Sequence, residues 1–181
     1  IFVLCFFFTL STNSLSNQKI INHFKNIKSL EFKFTQRIDN NNIEKGECII
    51  SYPKKILCRY NDLYNKVLVS NGKSLVINSD KIKNYYRYPL DKTPLNIILD
   101  KKFLLSKMEN LKEDETYPFY YVYNFDYENI FVKVFFDKQS LDLVGWETKD
   151  IYQNLVQTFI SDIKTNIDVE EKLFSIQKYI N

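Results

Sequence analysis

Glycine and histidine are scarce: the 181 residues include three glycines and one histidine. Gly46, Gly72 and Gly145 lie too far apart to build Gly-x-x-x-x-Gly-Lys or Gly-x-Gly-x-x-Gly, which excludes nucleotide sites of those kinds. His23 with scattered carboxylates is too small a ligand set for a metal, and no cofactor is expected. A thiol nucleophile would need His23 as its base. That residue precedes Phe24 on an amphipathic segment and reads as an ordinary polar position. Serines and aspartates also occur without a compatible histidine, so hydrolysis of an envelope ester would require an unusual site. Glu113, Asp114 and Glu115 are contiguous in a polar stretch and read as a solvated loop, not as an acid and base pair. The expectation is a protein that is not an enzyme.

A bilayer-spanning run is missing as well. The apolar stretch Ile1 to Leu10 is uncharged and about ten residues long, against the roughly 20 that a spanning helix needs. Small polar residues follow from Ser11 to Ser16, the layout of a secretory signal peptide. Residues 1–16 are therefore expected to be a leader cleaved after Ser16, with a basic start and initiator methionine upstream of Ile1. Residues 17–181 would form a single domain. Cys5 lies inside the apolar stretch behind Leu4, whereas a lipid-attachment cysteine sits at the end of such a stretch behind a small residue. A dense block of one charge is absent too: 25 basic and 22 acidic residues are scattered along the chain, and nucleic acid is not an expected partner.

Aromatic residues are plentiful. Phe 15 and Tyr 13 bring the aromatic share to 16%, more rings than a small core usually needs, which suggests that something large and apolar is covered. After Asn17, a candidate helix cap, Ile20, Phe24, Ile27 and Leu30 recur at helical spacing. Glu31 to Ile38 then alternates as a half-buried strand, with Phe32, Phe34 and Ile38 on one face. Past a turn at Asn40, Asn41 and Asn42, Gly46 to Tyr52 and Ile56 to Tyr60 read as a hairpin around Pro53-Lys54-Lys55. Parity places Cys48, Ile50 and Tyr52 on the inner face of the first arm and Ile56, Cys58 and Tyr60 on that of the second. Cys48 and Cys58 could then be bonded neighbours in an oxidising compartment, or two buried free thiols.

Lys66 to Ser70 and Lys73 to Asn78 flank Asn71-Gly72, a strong hairpin signal, and a strand is expected over Lys83 to Tyr88. Thr93-Pro94 reads as the start of a helical excursion through Leu95, Ile98, Leu99, Phe103, Leu104 and Met108. Strands resume at Phe119 to Phe125, Ile130 to Asp137, Leu143 to Thr148 and Leu155 to Ile163, and a short turn or helix closes the chain around Leu173, Phe174 and Ile176. The fold class is mainly β (α+β): ten to eleven antiparallel strands in a strongly curved sheet or open barrel, with helices across it. The stripe of Phe32, Phe34, Tyr52 and Tyr60, with Leu95, Ile98 and Leu99, is either simple core or the wall of a cavity.

An ordered series of local patterns bears on that choice: Phe34-Thr35-Gln36, Gly46, Pro53, Val69-Ser70-Asn71-Gly72-Lys73, Thr93-Pro94-Leu95 and Gly145-Trp146. In order and spacing, from about Ile20 to Phe174, the chain resembles the outer-membrane lipoprotein carrier family. The resemblance implies an unclosed β-barrel whose helices form a lid over a hydrophobic cavity. It implies a periplasmic, monomeric chaperone that receives lipoproteins from an ATP-driven inner-membrane releasing complex and passes them to an outer-membrane acceptor. Phe32, Phe34, Ile50, Tyr52, Cys58 and Tyr60 would then line the acyl-chain cavity, and Leu95, Ile98 and Leu99 would form the lid. The chain departs from the family at two positions. Tyr52 stands where an arginine associated with lid closure is usual, and Cys58 where an inward tryptophan is usual. A related lipid-binding module or lipid-anchored acceptor of the same fold is the alternative.

Overall fold

The computed structural model describes residues 13–39, 42–81, 84–109, 111, 117–150 and 152–180. The apolar leader with Cys5, the turn at Asn40 and Asn41, and the acidic stretch at Glu113, Asp114 and Glu115 lie outside the described residues. The chain opens with helix α1 (Asn13–Lys25) and continues through β1 (Ser29–Ile38), β2 (Asn42–Ser51), β3 (Lys55–Tyr60), β4 (Val67–Asn71), β5 (Ser74–Asn78) and β6 (Tyr86–Pro89). Two short helices follow, α2 (Leu95–Leu99) and α3 (Lys101–Met108), and then β7 (Tyr120–Tyr127), β8 (Ile130–Asp137), β9 (Leu143–Lys149) and β10 (Leu155–Thr165).

The ten strands form one antiparallel sheet in the order β6-β5-β4-β3-β2-β1-β10-β9-β8-β7. It consists of two meanders joined where β1 pairs with β10, and β6 and β7 remain as free edges instead of closing a barrel. Two irregularities accompany its curvature. Beside Phe32, β10 contributes an extra residue at the positive-φ Asp162, and β9 gains one between the pairs Phe135↔Gly145 and Phe136↔Leu143. Such bulges bend a strand and increase its twist. Two glycines allow strands and rings to approach closely. A β-carbon at Gly46 would stand 2.1 Å from the Arg59 carbonyl oxygen and 2.7 Å from the Phe34 ring, and one at Gly145 would stand 2.7 Å from the Thr158 carbonyl oxygen.

The concave face carries the main core, and the strand parity read from the sequence holds: Phe32, Phe34, Cys48, Ile50, Ile56 and Cys58 are all buried there. Helix α1 covers one end of this face with Ile20 and Phe24, and Ile27 just after the helix adds to the cover. Full burial of each such side chain is worth about 1.5–3 kcal/mol, which is enough to fix a polar-rich helix to the sheet. Phe24 meets Tyr52 and Phe136 edge to face at 5.7 and 5.6 Å. The convex face has a smaller core of its own, where Phe174 and Ile176, in 3₁₀ segments of the C-terminal tail, cover Leu57, Val69 and Val76.

Several local expectations are corrected. The sixth strand starts at Tyr86, with Asn84 and Tyr85 before it outside the strand and Lys83 outside the described residues. Asn17 does not cap α1, which already starts at Asn13. Instead its side chain is buried, with Nδ2 donating to the carbonyls of Met108 and Leu111 at 3.1 and 3.0 Å and Oδ1 accepting from the Tyr123 hydroxyl at 2.6 Å. Thr93 does not cap α2 either, because its hydroxyl donates back to the Leu90 carbonyl. The effective cap lies one helix later, where Asp100 accepts from the Phe103 N–H at 3.1 Å and starts α3.

The Asn17 cluster joins α1, α3 and β7 through one buried amide. Tyr123→Phe would leave its oxygen without that donor, so stability is expected to fall by about 1–3 kcal/mol, read as a lower urea midpoint with an unchanged slope. An unaltered midpoint would show that the cluster contributes nothing.

Candidate functional site

Beyond the end covered by α1, the concave face is roofed, among the described residues, by the Thr93–Ile98 segment, and a groove of about 280 Å³ runs beneath it. Its floor is formed by alternate residues of many strands: Phe32 and Phe34 on β1, Cys48 on β2, Ile56, Cys58 and Tyr60 on β3, Leu75 and Ile77 on β5, Trp146 on β9 and Val156 on β10. Leu95 and Ile98 come down from the roof. Phe32 meets Trp146 edge to face at 6.4 Å, and Phe34 meets Tyr60 at 5.0 Å, so rings wall much of the space.

Of the residues expected at the cavity, Phe32, Phe34, Cys58, Tyr60, Leu95 and Ile98 come together around it. Ile50, Tyr52 and Leu99 do not line it. They sit where the helices leave no space: Ile50 and Leu99 are fully buried in the core, and Tyr52 meets Phe24 of α1 edge to face with Lys101 of α3 above its ring at 5.3 Å. Burial pushes the pKa of the Tyr52 hydroxyl up, and that hydroxyl has no hydrogen-bond partner among the described residues. Cys48 and Cys58 are directly opposed on β2 and β3 and are bonded as a disulfide in the groove floor. His23 lies elsewhere, with Nε2 2.8 Å from Asp142 Oδ1. Among the described residues no three potential metal ligands gather, and no helix is long and apolar enough to cross a membrane.

The roof is fastened at the β2–β3 turn. The Lys54 N–H donates to the Leu99 carbonyl at 3.1 Å, and the Lys54 ammonium lies 3.1 Å from Asp100 Oδ2. Lys101 ties the same region to α1 by donating to the carbonyls of Lys25 and Ile27. Burial holds the Lys101 pKa below the ordinary lysine value. The turn next to Tyr52 thus holds the roof segment through a neighbouring lysine and backbone.

A polar strap crosses the far end of the groove. The Thr158 hydroxyl donates to Gln36, whose amide donates to Glu44 at 3.2 Å, and Lys66 donates to the other Glu44 oxygen at 2.7 Å. Lys66 also lies 4.1 Å above the Tyr60 ring. Burial raises the Tyr60 hydroxyl pKa, the nearby Glu44 charge adds to this, and a hydrogen bond with Gln36 opposes it. Sequence parity could have signalled Trp146, Leu75 and Ile77. The strap could not be read that way, because it depends on the pairing of β1 with β10, 122 residues apart at Gln36 and Thr158.

A family model described as outer membrane lipoprotein carrier protein LolA matches residues 25–177. Among solved structures, an uncharacterized conserved protein from Thermus thermophilus aligns with a TM-score of 0.54 at 9% identity, over 87% of this chain and 92% of its own. A LolA superfamily protein from Nitrosomonas europaea aligns at 0.46 and 9% identity, over 93% and 100%. A putative outer membrane lipoprotein-sorting protein domain from Vibrio parahaemolyticus aligns at 0.48 and 9% identity, over 93% and 98%. No curated protein matches the chain.

Asp100 both caps α3 and holds Lys54. Asp100→Ala removes both interactions, and with a cap worth about 1 kcal/mol, amide exchange in residues 101–108 should rise about fivefold, while the β1–β10 amides stay protected. Unchanged exchange in α3 would contradict this fastening.

Proposed function

Because the chain belongs to the outer membrane lipoprotein carrier protein LolA family, we propose that it carries lipoproteins through the periplasm with their acyl chains shielded in the groove beneath Leu95 and Ile98. The observation that carries this reading is an apolar groove on the concave face of an unclosed sheet, walled by rings and roofed by a short helical segment. Each methylene removed from water is worth roughly 0.8 kcal/mol, so an uncovered acyl chain would return the cargo to a membrane or aggregate it.

At about 280 Å³ the groove is at the lower limit of the roughly 300–1,000 Å³ typical of ligand pockets. This is a resting, lid-down state, and an acyl chain enters as the Thr93–Ile98 roof lifts. The roof is held by the buried Ile97, Ile98 and Leu99 as well as by the Lys54–Asp100 pair and the Lys54 backbone hydrogen bond, and an entering acyl chain would replace part of that apolar contact as the roof lifts. The catalytic inventory is poor, and binding with transfer is the activity that the groove supports. An inner-membrane releasing complex driven by ATP and an outer-membrane acceptor are the partners of this reading. The expected leader, cleaved after Ser16, gives its location.

The test is mass spectrometry of the protein purified from periplasm without detergent, recording both its N-terminus and any co-purified species. An unmodified chain starting near Asn17 with a triacylated lipoprotein bound is the expected result. A lipid-modified N-terminal cysteine would favour the anchored acceptor instead. If lipidated cargo offered to the empty protein never forms a soluble complex, the carrier reading fails.

A further inference from the structure

At the end marked by Tyr60 the groove adjoins a second cavity of about 620 Å³, and Glu44, Tyr60, Lys66 and Ile77 border both. This outer cavity lies where β2, β4 and β6 begin and β3 and β5 end, and it is bounded further by Asp62, Tyr64, Lys81 and Tyr86. Its polarity is lopsided. Both carboxylates are already engaged: Asp62 Oδ1 accepts the backbone N–H groups of Tyr64 and Lys66, and Glu44 accepts from Gln36 and Lys66. The Lys66 ammonium, paired with Glu44, also lies 4.1 Å above the Tyr60 ring, and the Lys81 ammonium lies 5.4 Å above the Tyr64 ring, which holds a cation without neutralising it.

An apolar groove beside a chamber whose carboxylates already accept hydrogen bonds, and whose lysines Lys66 and Lys81 lie over tyrosine rings, matches a molecule with an acyl chain at one end and an anion at the other. We infer that the two cavities form one amphiphile site, with the chain under Leu95 and Ile98 and an anionic head group in the outer cavity, recognised by Lys66 and Lys81. The inference rests on the acyl-binding reading of the groove and adds the charge of the head group. An entering anion competes with Glu44 for Lys66, because a charge-assisted hydrogen bond forms equally well to either oxyanion. The exchange loosens the strap beside Tyr60 and couples head-group recognition to opening between the cavities. A zwitterionic head group brings a cation as well, which Lys66 and Lys81 repel.

The experiment compares single-chain phosphatidylglycerol and single-chain phosphatidylcholine with the same acyl chain, each titrated calorimetrically as monomers below the micelle-forming concentration. The wild-type protein should bind the glycerol lipid about five- to tenfold more tightly, the scale of one partly screened ion pair. In Lys66→Met that ratio should fall towards one, and in Glu44→Gln, where the internal competitor is lost, it should rise. Comparing two ligands on the same preparation cancels any loss of folded protein in a variant. Equal wild-type affinities, or a preference that survives both Lys66→Met and Lys81→Gln, would overturn the inference and leave the acyl-binding groove standing. Binding of neither lipid would remove the groove reading itself and this inference with it.

Discussion

The pairing of β1 with β10 is the interaction on which the rest of the molecule depends. Every other strand pair is local, a hairpin or a neighbour in a meander, and these two meanders share no other strand pairing. Phe34 faces Ile160 and Gln36 faces Thr158 across this seam, so the floor of the groove is assembled from both halves of the chain. The bulge at Asp162 lies in the same seam and bends it where Phe32 must meet Trp146. If the seam is lost, two open sheets remain, neither with an inside.

Given that seam, the concave face must be covered, and it is covered unequally. Phe24 and its neighbours on α1 fill one end, and Tyr52 and Ile50 become ordinary core there. At the other end the cover formed by the described residues is α2 and the turn before it, which leave space between themselves and the sheet. The difference lies in the fit of the side chains: Phe24, Tyr52 and Phe136 interlock ring against ring, whereas Leu95 and Ile98 face Phe32, Phe34 and Trp146 across a gap. An unfilled apolar gap costs contact energy, which an acyl chain of the proposed cargo would recover on entry. The polar strap from Thr158 to Lys66 limits the gap and gives it direction.

The sequence made the β-strands and their facing legible because alternation is a local signal: Phe32 and Phe34, Cys48 and Ile50, and Ile56 and Cys58 all face inward as their parity requires. The family pattern also pointed correctly to an open sheet with a helical cover. Parity could not separate a cavity wall from solid core, however. Ile50 and Cys58 carry the same alternation, yet one lies under helices and the other under space, and only the placement of α1 decides between them. Helix starts were misread at Asn17 and Thr93 for a related reason. A short polar side chain near a helix start reads as a cap, but at both positions a tertiary or preceding carbonyl takes its hydrogen bond. The convex core of Leu57, Val69 and Val76 under Phe174 went unread, because the tail that covers it folds back from the far end of the chain.

The central claim is that acyl chains occupy the space between the sheet and the Leu95–Ile98 roof. Photocrosslinking of the intact protein with a saturated fatty acid carrying a diazirine near its methyl end, followed by peptide mapping, tests it most directly. Label concentrated on Phe32, Phe34, Leu95, Ile98 and Trp146 is the predicted result. Label spread over the outer surface, or gathered on the convex side around Leu173 and Tyr179, would contradict the claim.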